Sequence, residues 1–254
     1  MKVPYNERFY QTYRTESLRS ARRVVPIALN FVQPRSVVDI GCGIGTWLSV
    51  FSEFGVSDLV GMDGDYLPRG QLLIRPEQFT PVNLSDPPHV GRRFDLAISL
   101  EVAEHLPAAR ADSFLKFLVS LAPVVMFSAA IPHQGGDGHC NEQWPEYWAE
   151  RFAAQDYVAY DCFRPLLWMD DDIAYYYAQN LFLFVDRDHV GKLPGLADHR
   201  PANGPLSRVH PRRWLEANDP RRQRLPYVLR ALPHSIGRAT GTRLRRWLIP
   251  EVRS

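Results

Sequence analysis

Residues 37 to 47 read Val-Val-Asp-Ile-Gly-Cys-Gly-Ile-Gly-Thr-Trp, an apolar strand that runs into Asp39-x-Gly41-x-Gly43-x-Gly45. The glycines lack Cβ, so the chain can turn sharply out of the strand and bring its backbone against a ligand before a helix begins at about Thr46. A dinucleotide loop needs Gly-x-Gly-x-x-Gly, so that a helix N-terminus can approach pyrophosphate. Here the spacing is Gly-x-Gly-x-Gly, and Asp39, at the strand's carboxyl end, repels phosphate and attracts a cation. The loop therefore predicts a nucleotide-like ligand that carries positive charge.

Working outward, Ser17 to Phe31 places Leu18, Ala21, Val24, Val25, Ala28 and Leu29 at near-helical spacing, with Thr15 or Ser17 as N-cap and Pro34 as the stop. Short apolar runs bounded by turn residues follow at Ser36 to Ile40, Asp58 to Met62, Phe79 to Leu84, Phe94 to Leu100 and Val124 to Ile131. They have the pattern of parallel strands buried on both faces. Helical stretches lie between them at Trp47 to Phe54 and Ala108 to Leu121, and another follows at Tyr147 to Gln155. The alternation predicts a doubly wound, mostly parallel sheet that binds ligands at the carboxyl ends of its strands. Two last strands, Tyr157 to Phe163 and Leu181 to Asp186, are expected to form a hairpin at the sheet edge, which brings the total to seven.

Composition bounds the rest. A chain of 254 residues with 45% hydrophobic content has room for one α/β domain and an appendage. Cys42, Cys140 and Cys162 have no metal-binding spacing, and no apolar run approaches the roughly 20 residues of a membrane span. These features point to a reducing, cytoplasmic setting. Charge is uneven: residues 1 to 190 hold 16 Lys and Arg against 24 Asp and Glu, whereas 191 to 254 hold 14 against 4. We therefore expect an acidic folded body over 1 to 190 and a basic, Pro- and Arg-rich extension over 191 to 254.

Asp39-x-Gly41-x-Gly43-x-Gly45 after a strand resembles the first motif of the class I S-adenosylmethionine-dependent methyltransferases. Three further stretches extend the resemblance over about residues 5 to 188. Leu59-Val60-Gly61-Met62-Asp63 supplies Asp63 at the end of the second strand, where the family carries an acid that accepts both ribose hydroxyls; a carboxylate is a bidentate acceptor. After the third strand the family has Asp and an apolar residue against adenine, and this chain departs from it with Asn83-Leu84. The fourth strand and its exit, Phe94 to Pro107 with Leu100, Glu101, Glu104 and His105, match the family's fourth motif along their length. The resemblance implies S-adenosylmethionine as cofactor, held by Asp39, Gly41, Gly43, Gly45, Asp63, Asn83, Leu84 and Leu100. It also implies a lid from the residues before the first helix, Tyr13 among them.

Transfer of a methyl group from a sulfonium is an in-line displacement that needs alignment and, for a hydroxyl acceptor, removal of a proton. Glu101, Glu104 and His105 stand at i, i+3 and i+4, one face of a helical turn. Three roles are open to them: ordering the pocket, general base catalysis by His105, or ligation of a divalent cation such as Mg, with His139 as a fourth ligand. The loop from Ile131 to Pro145 is too polar and glycine-rich for core. It brings the catalytic candidates His133, His139 and Glu142 to the acceptor side, with His139, next to the Asn-Glu-Gln-Trp block, as the expected loop base or fourth ligand, flanked by Trp144, Tyr147 and Trp148. Aromatic faces beside polar groups suit a sugar, and the Gly-His-x-Asn-Glu-Gln-Trp-Pro run resembles a bacterial methyltransferase subgroup associated with glycans and natural products. The expected activity is O-methylation of a sugar, a glycan or a glycosylated small molecule. A nitrogen acceptor or an RNA ribose 2′-hydroxyl is the enzymatic alternative, and a cofactor-binding scaffold or sensor the non-enzymatic one. In the extension, short amphipathic helices at Tyr227 to Ala231 and Ile236 to Leu248, with arginine opposite Leu, Ile and Trp, leave three readings open: a partly ordered tail packed on the acidic body, a contact with an anionic membrane surface, and nucleic-acid binding, with the interleaved Leu, Trp and Pro favouring the lipid surface over RNA.

Overall fold

The computed structural model describes residues 7–219 together with 225, 228–229, 232–233 and 235–238, with side chains from Thr15 onward. Helix α1 (Glu7–Val32) leads into β1 (Ser36–Ile40), α2 (Thr46–Glu53), β2 (Asp58–Asp63), β3 (Phe79–Pro81) and β4 (Leu96–Leu100). There follow α3 (Ala111–Leu121), β5 (Val124–Ser128), α4 (Pro145–Ala153), β6 (Tyr157–Tyr160), α5 (Arg164–Leu167), α6 (Tyr175–Asn180) and β7 (Phe182–Asp186). The strands form one sheet in the order β3-β2-β1-β4-β5-β7-β6, parallel except for β7, which runs antiparallel to both neighbours. Chain order reverses between β1 and β4. That reversal opens a crevice at their carboxyl ends, where an open α/β sheet binds its ligand.

Alternation along the central strands divides the core. Val37, Leu96, Ile98 and Leu100 pack with Val24 and Val25 of α1 and Phe51 of α2. On the other face, Val38, Ile40 and Ala97 pack with Phe114 and Leu118 of α3 and Phe152 of α4. Every residue of β4 and β5 is buried, which is why these strands read as continuous apolar runs.

Several boundaries differ from the sequence reading for local reasons. Helix α1 begins at Glu7 because nothing from there to Thr15 is Gly or Pro. The expected N-cap Ser17 lies within it, with its hydroxyl 3.4 Å from that of Tyr177. β3 ends at Pro81, which has no N–H to continue the ladder. Between β6 and β7 the polar and aromatic stretch forms α5 and α6, so the edge pair is antiparallel but is not joined by a short turn.

The chain divides at His210 into two compact units. Residues 193 to 210, assigned to the basic extension on charge, pack within the first: Leu193, Leu196, Leu206 and His210 are buried. Arg164, wholly buried, holds this segment by donating to the Leu206 carbonyl at 2.7 Å while paired with Asp161. In the second unit α7 (Pro211–Asn218) leaves Trp214 and Leu215 exposed, as are Leu225, Leu229, Leu232 and Ile236. Most of the two amphipathic stretches expected at 227–231 and 236–248 lies outside the described residues. No helix among the described residues is long and apolar enough to cross a membrane, and the three cysteines are unbridged.

Candidate functional site

Two joined cavities open at the carboxyl ends of β1, β2 and β4. The inner one, of about 360 Å³, is lined by the glycine loop, Trp47, Leu100, Glu104, His139, Tyr176 and Tyr177. The outer one, of about 700 Å³, is lined by Asp63, Asn83, Leu84, Val102 and Leu106.

Gly41, Gly43 and Gly45 have φ of 82°, 52° and 82°, in the left-handed region that side chains other than glycine's rarely adopt. A Cβ on Gly41 would lie 2.4 Å from Val102, and one on Gly45 would lie 2.8 Å from Ile74. A Cβ on Gly43 would meet nothing within 4 Å. The outer two glycines thus serve packing, and the middle one turns an open backbone toward the inner cavity. Asp63 spans the loop and the outer cavity. It accepts hydrogen bonds from Gly43 N at 2.7 Å, Gly64 N at 2.6 Å and the Tyr66 hydroxyl at 2.8 Å. A carboxylate has about four acceptor lobes, so Asp63 can still accept from a ribose hydroxyl, and a second lobe opens if Tyr66 yields. Asn83 lines the cavity but spends Oδ1 on Ser85 N at 3.1 Å, leaving its NH2 for a purine edge.

Asp39 is placed differently from the sequence expectation. It is 2% exposed, lines neither cavity, and its Oδ2 has no hydrogen-bond partner. Burial and, second, the charge of Asp63 push its carboxyl well above the usual range. A carboxyl raised in the folded state stabilises fully below its unfolded value, near 4, and that contribution is lost as pH rises through the folded value. Asp39→Asn is therefore expected to raise the melting temperature, and by more at pH 8 than at pH 5. A gain that is equal at both pH values, or a loss, would contradict the assignment. The side chain of Tyr13 lies outside the described residues, although its backbone belongs to α1.

Glu101, Glu104 and His105 do not share one helical turn. Glu101 leaves β4 with φ of 56°, and only Glu104 and His105 lie in the short 3-10 turn that follows. Glu101 consequently points away, toward Gln134 and Asn180. Glu104 is wholly buried, neither carboxylate oxygen meets a partner at full hydrogen-bond geometry, and only the nearby backbone of Glu104 and Ala130 eases its charge. Burial, then Glu101, pushes it well above the ordinary range. Facing it is His139, with Nε2 4.0 Å from Glu104 Oε1 and Nδ1 3.0 Å from Glu142 Oε1. His105 packs edge-on to His139 at 4.7 Å between ring centroids. Ligand atoms of Glu104, His105 and His139 all lie within 4.8 Å of one another, and Glu101 stands outside that group.

Burial, and then the neighbouring imidazole, lower His105 to about 4, although the residue as a whole is exposed; its open edge faces the junction of the two cavities. Glu142 lines neither cavity and acts through the loop, accepting from His133 N and Gly135 N, each at 2.7 Å, as well as from His139. His133 also lies away from both cavities. Trp148 is core at 2% exposure, and neither Trp144 nor Tyr147 lines a cavity. The aromatic walls are instead Trp47, Tyr66, Tyr176 and Tyr177. The sequence reading missed Gln134, Gln179 and Asn180, whose amides meet around Glu101; Gln-Asn at the end of a short helix is no signal by itself.

A family model described as a methyltransferase domain matches residues 10–161, more than half of the chain. The chain belongs to this methyltransferase family. No curated protein matches it. Among solved structures it is similar to the sugar N-methyltransferase KedS8 from Streptoalloteichus sp. ATCC 53650, at 15% identity and a TM-score of 0.52, covering 74% of this chain and 97% of that one. It is also similar to the methyltransferase domain of bacterial CtHen1, at 20% identity and a TM-score of 0.44, over 66% of this chain and 98% of the other. A third similarity is to human N-acetylserotonin methyltransferase in complex with S-adenosylmethionine, at 16% identity and a TM-score of 0.47, over 72% and 60%. The protein is an S-adenosylmethionine-dependent methyltransferase with the Rossmann-like fold of its class. The open backbone at Gly43 and the Asp63 carboxylate, which has acceptor capacity left at the outer cavity, fit that cofactor.

Proposed function

We propose that this methyltransferase O-methylates a hydroxyl of a sugar, a glycan or a glycosylated small molecule, with His139 taking the acceptor's proton. The observation that carries the reading is the lining of the inner cavity. Beyond the part that the glycine loop and Trp47 give to the cofactor's tail, Tyr176 and Tyr177 offer aromatic faces, Glu16, Gln134 and Asp137 offer polar edges, and no Lys or Arg lines the cavity among the described residues. A sugar ring presents C–H faces to aromatic rings and hydroxyls to polar edges, whereas a phosphodiester would meet carboxylates with no cation. This disfavours RNA ribose.

In the transfer the acceptor oxygen forms its bond to the methyl carbon, the electron pair of the S–C bond returns to sulfur, and the hydroxyl proton must leave. Glu142 holds the Nδ1 side of His139, which places the tautomeric proton there and frees Nε2 toward the cavity. His105, lowered to about 4, is the poorer proton acceptor. Glu104, His105 and His139 also fit a divalent cation, for which His139 Nε2 would be a ligand in place of the base, because Glu104 is a buried carboxylate without a side-chain donor and Glu142 orients His139 from behind. Two imidazoles and one carboxylate suit Mn(II), Fe(II) or Zn(II) better than Mg, which prefers oxygen ligands. When bound, such an ion supplies polarisation of the acceptor hydroxyl.

Labelled methyl transfer to a panel of free and conjugated sugars should give an O-methyl product, and His139→Ala should slow it at least about a hundredfold. Transfer to RNA with none to sugars would remove the reading. Glu16 and Asp137 would equally hold the ammonium of an amino sugar, so an N-methyl product, separable by NMR of the isolated methyl group, is the second reading.

For the basic extension we propose a contact between a cytoplasmic enzyme and an anionic membrane surface. Supporting it are 14 Lys and Arg against 4 acids over residues 191 to 254, with Trp214, Leu215, Leu229 and Leu232 exposed. Sedimentation with phosphatidylglycerol vesicles should exceed that with phosphatidylcholine alone; equal sedimentation rules the contact out.

A further inference from the structure

Gly41, Tyr66, Glu101 and His105 are the residues that line both cavities. A cofactor whose adenosine lies beside Asp63 and whose methionine tail lies along the glycine loop has its sulfur at the junction between them. We infer that Glu101 is the fixed counter-charge of the cofactor's sulfonium, and that Gln179 is the positioning residue that keeps it so.

The inference rests on the polarity of the hydrogen bonds behind Glu101. A backbone N–H can only donate, and His210 N donates to Gln179 Oε1 at 2.8 Å. The Gln179 amide is thereby fixed with its NH2 inward, where it donates to Gln134 Oε1 at 3.1 Å and Asn180 Oδ1 at 2.9 Å. With their oxygens engaged, Gln134 and Asn180 present NH2 groups to Glu101, at 2.8 Å to Oε2 and 3.1 Å to Oε1. Flipping any one amide would set oxygen against oxygen or leave the His210 N–H unmet. Glu101 is thus surrounded by donors. Burial pushes the Glu101 carboxyl above its ordinary range and the hydrogen bonds from Asn180, Ser128 and Gln134 pull against it, so the donors favour the anion against the cost of burying it.

The backbone points the same way. Glu101 is held at φ of 56°, with its N–H near Ser128 O at 3.0 Å and Ser128 Oγ at 3.1 Å. A non-glycine residue in this region costs of order 1 kcal/mol or more and persists where its surroundings over-determine it. The left-handed turn swings the side chain out of β4 and into the amide cluster. No Lys or Arg lines either cavity among the described residues, and Arg164, which touches Gln179 O, is committed to Asp161. The missing positive charge is the ligand's own.

After transfer the sulfonium has become a neutral sulfide and the positive charge has left the junction with the methyl group and the acceptor's proton. Glu101 then favours the substrate form of the cofactor over the product form, which speeds exchange of spent cofactor without acting on the acceptor. The inference rests on the cofactor and not on the identity of the acceptor, so it stands or falls separately from the sugar reading.

Calorimetric titration of the full chain with S-adenosylmethionine and with S-adenosylhomocysteine, in the absence of acceptor, tests it. Glu101→Gln should lower the ratio of the two affinities by about tenfold, the scale of one partly desolvated charge pair, while the sulfide's own affinity stays within about threefold. Gln179→Met, which fills the same space but withdraws one donor from each amide while Gln134 Oε1 keeps Asn180 Nδ2 at 2.9 Å and Ile131 N at 3.3 Å, should move the ratio in the same direction by a smaller factor. A ratio unchanged by Glu101→Gln, or equal weakening of both ligands with the fold intact, overturns the inference. If Glu101→Gln fails to fold, Gln179→Met decides: selective loss of the sulfonium supports the inference and equal loss overturns it.

Discussion

Asp63→Ala is expected to weaken binding of S-adenosylhomocysteine at least about a hundredfold. Each tenfold corresponds to about 1.4 kcal/mol, and leaving one buried donor without its acceptor costs about 1–3 kcal/mol. Asp63 satisfies two loop amides, Gly43 N and Gly64 N, at 2.7 and 2.6 Å. Its removal orphans both and withdraws the carboxylate from the ribose side of the outer cavity. Gly43 is the residue with open space before it, so the damage falls on the backbone that meets the cofactor. Tyr66→Phe is the control. It deletes a hydroxyl that competes for an Asp63 oxygen on a ring that is 59% exposed, and should leave affinity within about threefold. Calorimetry on the three proteins checks both statements. Asp63→Ala binding within threefold of wild type would mean that this carboxylate does not organise the cofactor loop.

The glycine turn and the crevice at the strand ends are legible because their signals are local. Val37 to Thr46 is strand, turn and helix start in one stretch, and Asp63 ends a strand whose length could be read from its apolar run. The acceptor half is not, because its geometry is assembled at long range. Glu101 looked like part of a helical turn with Glu104 and His105 from spacing alone, and a single left-handed φ removes it. Its partner Asn180 is 79 residues away on a helix of six residues, too short for periodicity to show. Trp148 read as a sugar platform because it follows a polar loop, yet it begins the apolar face of α4 and packs on Phe127 at 5.3 Å. Charge misassigned residues 193 to 210, since Leu193, Leu196 and Leu206 are spaced too irregularly to announce a buried strap.

Glu104→Gln is expected to raise the melting temperature of the metal-free protein while abolishing methyl transfer. In the wild type a wholly buried carboxylate with no partner at full hydrogen-bond geometry must either stay charged in a poor solvent or be protonated against its unfolded preference, and either course destabilises at neutral pH. A neutral amide of the same shape removes that cost, and its NH2 group faces the lone pair of His139 Nε2, 4.0 Å from the carboxylate oxygen it replaces. A gain of about 2 kcal/mol would appear as roughly 4–8 °C in a domain of this size. Added Mn(II) discriminates further. It should stabilise the wild type by supplying the charge that Glu104 lacks, and should shift the variant by less than about 1 °C, because a ligand stabilises only the state it binds. Differential scanning calorimetry with and without the ion, alongside the transfer assay, reads all three effects. A lower melting temperature in the variant would mean that Glu104 is satisfied in solution, and an equal metal shift in both proteins would place the ion elsewhere. A stability gain coupled to lost activity is the behaviour expected of a residue kept for its chemistry at the expense of the fold.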